Sequence, residues 1–223
     1  MIDRVLVGAV GSRELVRGEV FELKNRTWAA FAADVEDCSF EGARCKNFGA
    51  GSGAEPTIYR RCSFRDAWLT FSPGGVARFE KCDFTGARLK DWSLMSGELI
   101  DCTFTGRLHR CLFSRPRELD SAARFHFFGN DFSQAEMIDC DFRYGIDLSR
   151  QKLPQGPGCF YAENGAQAIE QARERARADR DDDAMMILDI IDKNLVGQQQ
   201  LFDSAATWPD LGLERWRRMW GLD

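Results

Sequence analysis

Histidine is nearly absent from this chain: His109 and His126 are the only two. Acid–base catalysis near neutral pH leans on that side chain. His109 lies close to Cys111 in sequence, but no third group stands at a spacing that would orient such a pair. A Walker loop, a dinucleotide-binding glycine fingerprint and a Gly-x-Ser-x-Gly elbow are missing as well. None of the eight cysteines forms a C-x-x-C pair, so the zinc signature is lacking. The acidic run at 179–183 does not have calcium-loop spacing and reads as a helix boundary. Neither an enzyme nor a metal or cofactor site is expected.

Long apolar runs are also missing. None approaches the roughly 20 residues that span a bilayer, and the start, Met1-Ile2-Asp3-Arg4, does not read as a secretory leader. A cytoplasmic protein with reduced cysteines is the expectation. A basic excess is lacking too. Lys plus Arg and Asp plus Glu number 22 each over 1–153, whereas the last 70 residues carry 8 against 13, which accounts for the whole net charge of −5. Direct nucleic-acid binding is therefore not expected.

What the sequence does have is a period of five. Every fifth residue from Tyr59 gives Tyr59, Phe64, Leu69, Gly74, Phe79, Phe84, Leu89, Leu94, Leu99 and Phe104, large and apolar except for Gly74. Two positions earlier the series is Thr57, Cys62, Ala67, Ser72, Ala77, Cys82, Ala87, Trp92, Gly97 and Cys102, small except for Trp92. A helix would repeat near 3.6 residues and a lone strand at two. A period of five with one large and one small inward residue needs a corner between short straight segments. Cys62-Ser63-Phe64, Cys82-Asp83-Phe84 and Cys102-Thr103-Phe104 recur 20 residues apart, so four segments close one coil. Coils would stack at about 4.8 Å, the inter-strand spacing, with the cysteines as small buried side chains.

These units resemble the pentapeptide-repeat family, whose usual unit is Ala-(Asp/Asn)-Leu-Xaa-Xaa. Cys82-Asp83-Phe84-Thr85-Gly86 and Ala87-Arg88-Leu89-Lys90-Asp91 carry the likeness. Units beginning at Cys38, Cys62, Cys102 and Cys140 carry it too. The resemblance implies a mainly-β fold, a right-handed quadrilateral β-helix. It covers about 33–148, with a regular core at 57–104. A step of 24 from Cys38 to Cys62 implies a four-residue bulge near Gly49–Gly53. After Phe104 the register fails, since Arg107 and His109 fall on inward positions, and 38 residues separate Cys102 from Cys140. An irregular coil over 107–124 is expected.

Outward positions should be polar, and the exceptions suggest a partner-binding patch. Trp68, Phe71, Val76, Trp92 and Met95 would form it across two adjacent faces, with Arg88 and Lys90 in its rim. The alternative is that the protein's own tail covers these residues. Turn chemistry at 154–160 ends the repeat, giving a β-helix over 1–153 and a C-terminal helical extension over 154–223. Helices are expected over Ala166–Ala178, over Asp183–Phe202, and after Pro209 with Leu213, Trp216 and Trp220 on one face. The extension would cap the β-helix end, pack along a face, or form a homodimer through its helices.

The resemblance implies binding to a protein partner in an immunity or resistance role, against a toxin or at a topoisomerase. Some members of the family protect DNA gyrase from quinolones by mimicking duplex DNA with an acidic surface. The neutral charge balance of 1–153 departs from that pattern. A structural scaffold or spacer is the remaining reading.

Overall fold

A computed structural model describes residues 14–51, 55–71, 76–95, 97–116, 125–195 and 197–222. The period of five becomes a coil with four straight sides because corner residues turn the chain. Asp37, Arg61, Lys81 and Asp101 occupy one corner on successive coils, with φ of 53°, 51°, 53° and 53°. This left-handed region is uncommon for residues other than glycine. It persists here because each corner N–H still bonds to the next coil: Asp37 to Arg60, Arg61 to Glu80, Lys81 to Ile100 and Asp101 to Phe128, at 2.8–3.0 Å.

The result is a mainly-β, right-handed solenoid of parallel coils. Its first face is a six-stranded parallel sheet that pairs Val35, Tyr59, Phe79, Leu99 and Phe127 in order. The second face is marked by bridges from Val20 through Ser39 and Ser63 to Asp83. The third aligns Cys45, Leu69, Leu89, Leu108 and Met137, and the fourth pairs Trp28 with Phe48, then Phe48 with Phe71. On the fourth face Leu94 pairs with Phe113, and Phe113 with Phe142.

Identical positions form columns inside. Under the second face, Phe21, Phe40, Phe64, Phe84, Phe104 and Phe132 stack ring on ring, with centroids 4.6–4.8 Å apart. That is the coil spacing, so the backbone pitch places the rings in offset contact. Cys38, Cys62, Cys82 and Cys102 form the neighbouring column, each at most 2% exposed and none in a disulfide. Each thiol lies within donating distance of a carbonyl one coil back: Cys62 of Val35 (3.3 Å), Cys82 of Tyr59 (3.5 Å), Cys102 of Phe79 (3.4 Å). The thiols thus fill a small slot and use the weak S–H donor. Burial pushes the Cys82 thiol well above the usual range.

Three expectations, two for the ladder and one for the tail, are corrected. Cys140 does not continue the cysteine column; it pairs with Cys111 on another corner. The successor to Cys102 is Asn130, fully buried, whose Oδ1 accepts from the Cys102 N–H at 3.1 Å and whose Nδ2 donates to Leu99 O and Gln151 Oε1 at 3.0 Å each. The 38-residue count therefore compared two different corners. Second, residues 107–114 are not irregular. They belong to one strand, Thr103–Ser114, in register with both neighbours. Leu89 pairs with Leu108, a step of 19 rather than 20, so Leu108 takes the inward position and Arg107 and His109 flank it. The shortening follows a register shift between Phe104 and Gly106. Gly106 has φ +95°, and a Cβ there would stand 2.5 Å from Ala87 O. The remainder of the expected defect, 117–124, lies outside the described residues, as do Gly74 and 52–54 near the expected bulge. Ser39 nevertheless pairs with Ser63, 24 residues on.

The third correction is in the tail. Helix α1 (Gly165–Asp179) and helix α2 (Asp182–Asn194) are capped by Asn164 and Asp181, whose side chains accept the N–H of Gln167 and Ala184 at 3.0 Å each. The helix expected to reach Phe202 stops at Asn194. Gly197 follows at φ +68°, and Leu201–Ser204 is a strand, antiparallel to Cys159–Ala162. Helix α3 (Leu213–Trp220) buries Trp216, Met219 and Trp220, while Leu213 is exposed.

The tail covers the C-terminal end of the solenoid. An end coil leaves backbone groups without partners. The Gln198 Oε1 accepts from Gly145 and Ile146 N–H at 3.0 and 3.1 Å, and its Nε2 donates to Ile146 O at 2.7 Å. The Gln200 Oε1 accepts from Leu148 N–H at 2.6 Å. Behind this cap sits Asp203, buried, its carboxylate accepting three indole N–H groups: Trp208 at 2.9 Å, Trp216 at 2.8 Å and Trp220 at 2.9 Å. Burial pushes its carboxyl above the ordinary range, against the pull of those donors.

Candidate partner-binding face

The expected apolar patch is not present as a patch. Phe71 and Trp92 are 5% and 2% exposed, and their rings stack at 4.3 Å inside the coil. Phe71 pairs with Phe48, so the fourth face of that coil begins directly after the third and takes Phe71 as its inward residue. Trp92 also contacts Phe79 and Phe113, at 5.4 and 5.7 Å between centroids, filling the interior where small residues stand in other coils. Val76 is half-buried. Of the five apolar residues, Trp68 and Met95 remain outside, at 44% and 58% exposure. The tail packs on the strand Asp131–Arg143 at the end of the solenoid.

Trp68 marks a different kind of surface. It stands on the third face, where two outward columns flank the inward leucines. The first runs Lys24, Arg44, Trp68, Arg88, Arg107, Glu136; the second includes Thr70, Lys90, His109 and Ile138. Lys46 follows the inward Cys45 on the coil of Arg44. From Arg44 to His109 these columns hold Arg44, Lys46, Arg88, Lys90 and Arg107 and no carboxylate. The Arg44 guanidinium lies 4.8 Å from the Trp68 ring centroid and that of Arg88 4.4 Å, one from each neighbouring coil. Coil stacking at about 4.8 Å thus makes a sandwich, guanidinium on indole on guanidinium. Such contacts stabilise by about 0.5–1 kcal/mol each at exposed sites and restrict the arginine rotamers. The outward expectation for Arg88 and Lys90 holds, since both are exposed.

Arg107 shows what a guanidinium on this column does with an acid. Its Nε and Nη2 donate to the two carboxylate oxygens of Glu136 at 2.7 and 3.0 Å, a fork-to-fork pair. A shallow groove lined by Gly86, Arg88, Gly106, Arg107, Gln134 and Glu136 runs beside it. Among the described residues, Arg44, Arg88, Lys46 and Lys90 have no carboxylate partner.

The first face is arranged oppositely. Arg60 reaches Asp34 (3.0 Å), Glu36 (3.1 Å) and Glu80 (3.1 Å). Arg78 pairs with Glu80 (3.4 Å) and with Glu98, whose other oxygen meets His126 Nδ1 at 2.7 Å. At the corner Arg61 and Arg17 both bind Asp37, and the Arg61 guanidinium holds that carboxyl below its usual range. Arg60 and Arg61 are thus neutralised on this face and its corner, and Arg65 pairs with Asp83 at 2.9 Å.

No catalytic constellation is assembled around the histidines in these contacts. The Cys111 thiol faces the backbone carbonyl of His109 at 3.8 Å and is 1% exposed. Among the described residues no three His, Cys, Asp or Glu side chains are placed to hold a metal, and no helix is long and apolar enough to cross a membrane.

The fold and this face define a parallel β-solenoid with one cation-rich side. The chain matches no protein-family model and no curated protein sequence. Among solved structures it is similar to QnrB1, a plasmid-mediated fluoroquinolone resistance protein. One trypsin-treated form is 16% identical over 64% of this chain and 80% of that one, with a TM-score of 0.24. The full-length form is 14% identical over 63% and 80%, with a TM-score of 0.22.

Proposed function

We propose that this chain is a non-enzymatic pentapeptide-repeat protein that binds a protein partner and shields or neutralises it, in an immunity- or resistance-type role. The observation that carries this reading is the third face: an exposed tryptophan fixed between two arginines on a rigid stack of coils. Trp and Arg are the side chains in which interface energy concentrates, and fixing them in advance lowers the ordering cost of association. A stack of coils with fixed pitch presents them without rearrangement.

The test is isolation of the complex from the native cell, followed by reconstitution with the purified partner. Saturable binding that protects the partner's activity, and that Trp68→Ala weakens, is the expected result. A partner that binds the Trp68→Ala chain equally well removes the third face from the reading. A gyrase supercoiling assay with and without a quinolone separates the topoisomerase alternative. No protection is expected, because a duplex mimic requires carboxylates where this face presents cations.

A further inference from the structure

We infer that the Arg44–Trp68–Arg88 ladder is a docking surface for a cluster of carboxylates on an acidic protein segment; this rests on the partner-binding reading and specifies the partner's chemistry. Charge is the first argument. Five cations on the outward columns face no acid until Glu136, on a chain whose net charge is −5. Such a stripe is locally attractive to anions within a protein that repels polyanions at long range. An extended duplex, which needs phosphate contacts along its length, fits this field poorly. A short acidic segment fits it well.

The second argument is the tryptophan. Single-stranded nucleic acid is held by bases stacked on exposed aromatic faces. Both faces of the Trp68 ring are occupied, by Arg44 at 4.8 Å and Arg88 at 4.4 Å. The indole is therefore a spacer between two exposed guanidiniums. The planar fork of a guanidinium matches a carboxylate bidentately. The chain supplies its own template one coil further on, where Arg107 takes Glu136 in that geometry at 2.7 and 3.0 Å. Arg88 and Arg44 offer the same fork, with no acid of the described chain to fill it.

The spacing completes the description. Arg44 and Arg88, the two rungs without an acid, stand two coils apart, roughly 10 Å along the axis. A matching segment carries acids two turns apart on a helix, roughly 11 Å.

The experiment uses the full chain and a fluorescent oligo-glutamate peptide as the probe, read by anisotropy. Saturable binding is expected, weakening as salt rises. Arg44→Glu together with Arg88→Glu should reduce affinity by about tenfold or more, Trp68→Ala by about threefold, and Arg65→Glu, on another face, not at all. A duplex oligonucleotide should bind more weakly than the peptide. Absence of peptide binding, equal binding by the double variant, or tighter binding of the duplex would overturn the inference. Circular dichroism establishes that each variant is folded. Should the charge-reversed pair not fold, Arg44→Gln with Arg88→Gln carries the same test. A native partner that binds the double variant with unchanged affinity sinks the ladder inference while leaving the partner-binding reading intact.

Discussion

The first and third faces are built from the same coils, yet they treat charge in opposite ways. On the first, Arg60 alone meets Asp34, Glu36 and Glu80. On the third, Arg44 and Arg88 meet an indole. Both arrangements follow from stacking, which sets residue n beside its counterparts on the coils before and after. Where successive coils alternate in sign, the face neutralises itself and contributes to stability. Where they repeat one sign, stacking accumulates charge, and a neutral spacer such as Trp68 keeps like charges two coils apart. The difference separates a surface that holds the protein together from one that holds something else.

The comparison can be broken most severely at the point where internal neutralisation is deepest. Asp203→Ala leaves three indole donors, those of Trp216 and Trp220 buried, without an acceptor, and a loss of about 3–5 kcal/mol is expected in urea unfolding. Next is Arg60→Ala, which removes the cation shared by Asp34, Glu36 and Glu80 on the first face. A loss of about 1–2 kcal/mol is expected, smaller in high salt. Acid should act in the same direction. Asp37 is held below its usual range by Arg61, Asp131 by the Ser133 hydroxyl, and Asp181 by Arg215. A carboxyl whose folded value is depressed stabilises the fold above its unfolded value and loses that contribution as pH falls through the folded one. The urea midpoint should therefore hold near neutrality and drop below about pH 4. Asp37→Asn should flatten part of that drop. The smallest effect on stability is expected on the third face, where Arg88→Ala removes one exposed guanidinium–indole contact and should cost about 0.5 kcal/mol. A loss there as large as that of Arg60→Ala would erase the distinction between the faces.

The period of five and the inward columns were legible because stacking forces every coil to repeat the same side-chain sizes. Tyr59, Phe64, Phe79, Phe84, Leu99 and Phe104 are buried as the period requires. The period misleads where the step is not 20. A constant period puts Gly74 on the inward position and Phe71 outward, whereas the coil takes Phe71 inward. Arg107 and His109 looked inward because the step to Leu108 is one residue short. Asn130 in the cysteine column could not be found by residue size, since it is selected by hydrogen bonds to Cys102 and Leu99. The strand Leu201–Ser204 was hidden because its partner lies far away in sequence, at Cys159–Ala162. The third face was concealed by summation: a zero balance over 1–153 averages a cation-rich side with faces that hold the acids. The outward register points to Trp68, Arg88 and Lys90, but as an apolar patch and its rim rather than as a cation ladder.

The even pitch of the phenylalanine stack has a metrical consequence. Rings 4.6–4.8 Å apart rule the molecule into equal graduations, and every outward side chain is read against that scale. Removing or adding one whole 20-residue coil would leave each coil's chemistry intact but displace the rows beyond it by a single graduation. A partner that engages Arg44 and Arg88 together would then find them off by about 5 Å, so the length of the chain between two rungs is itself a determinant of recognition.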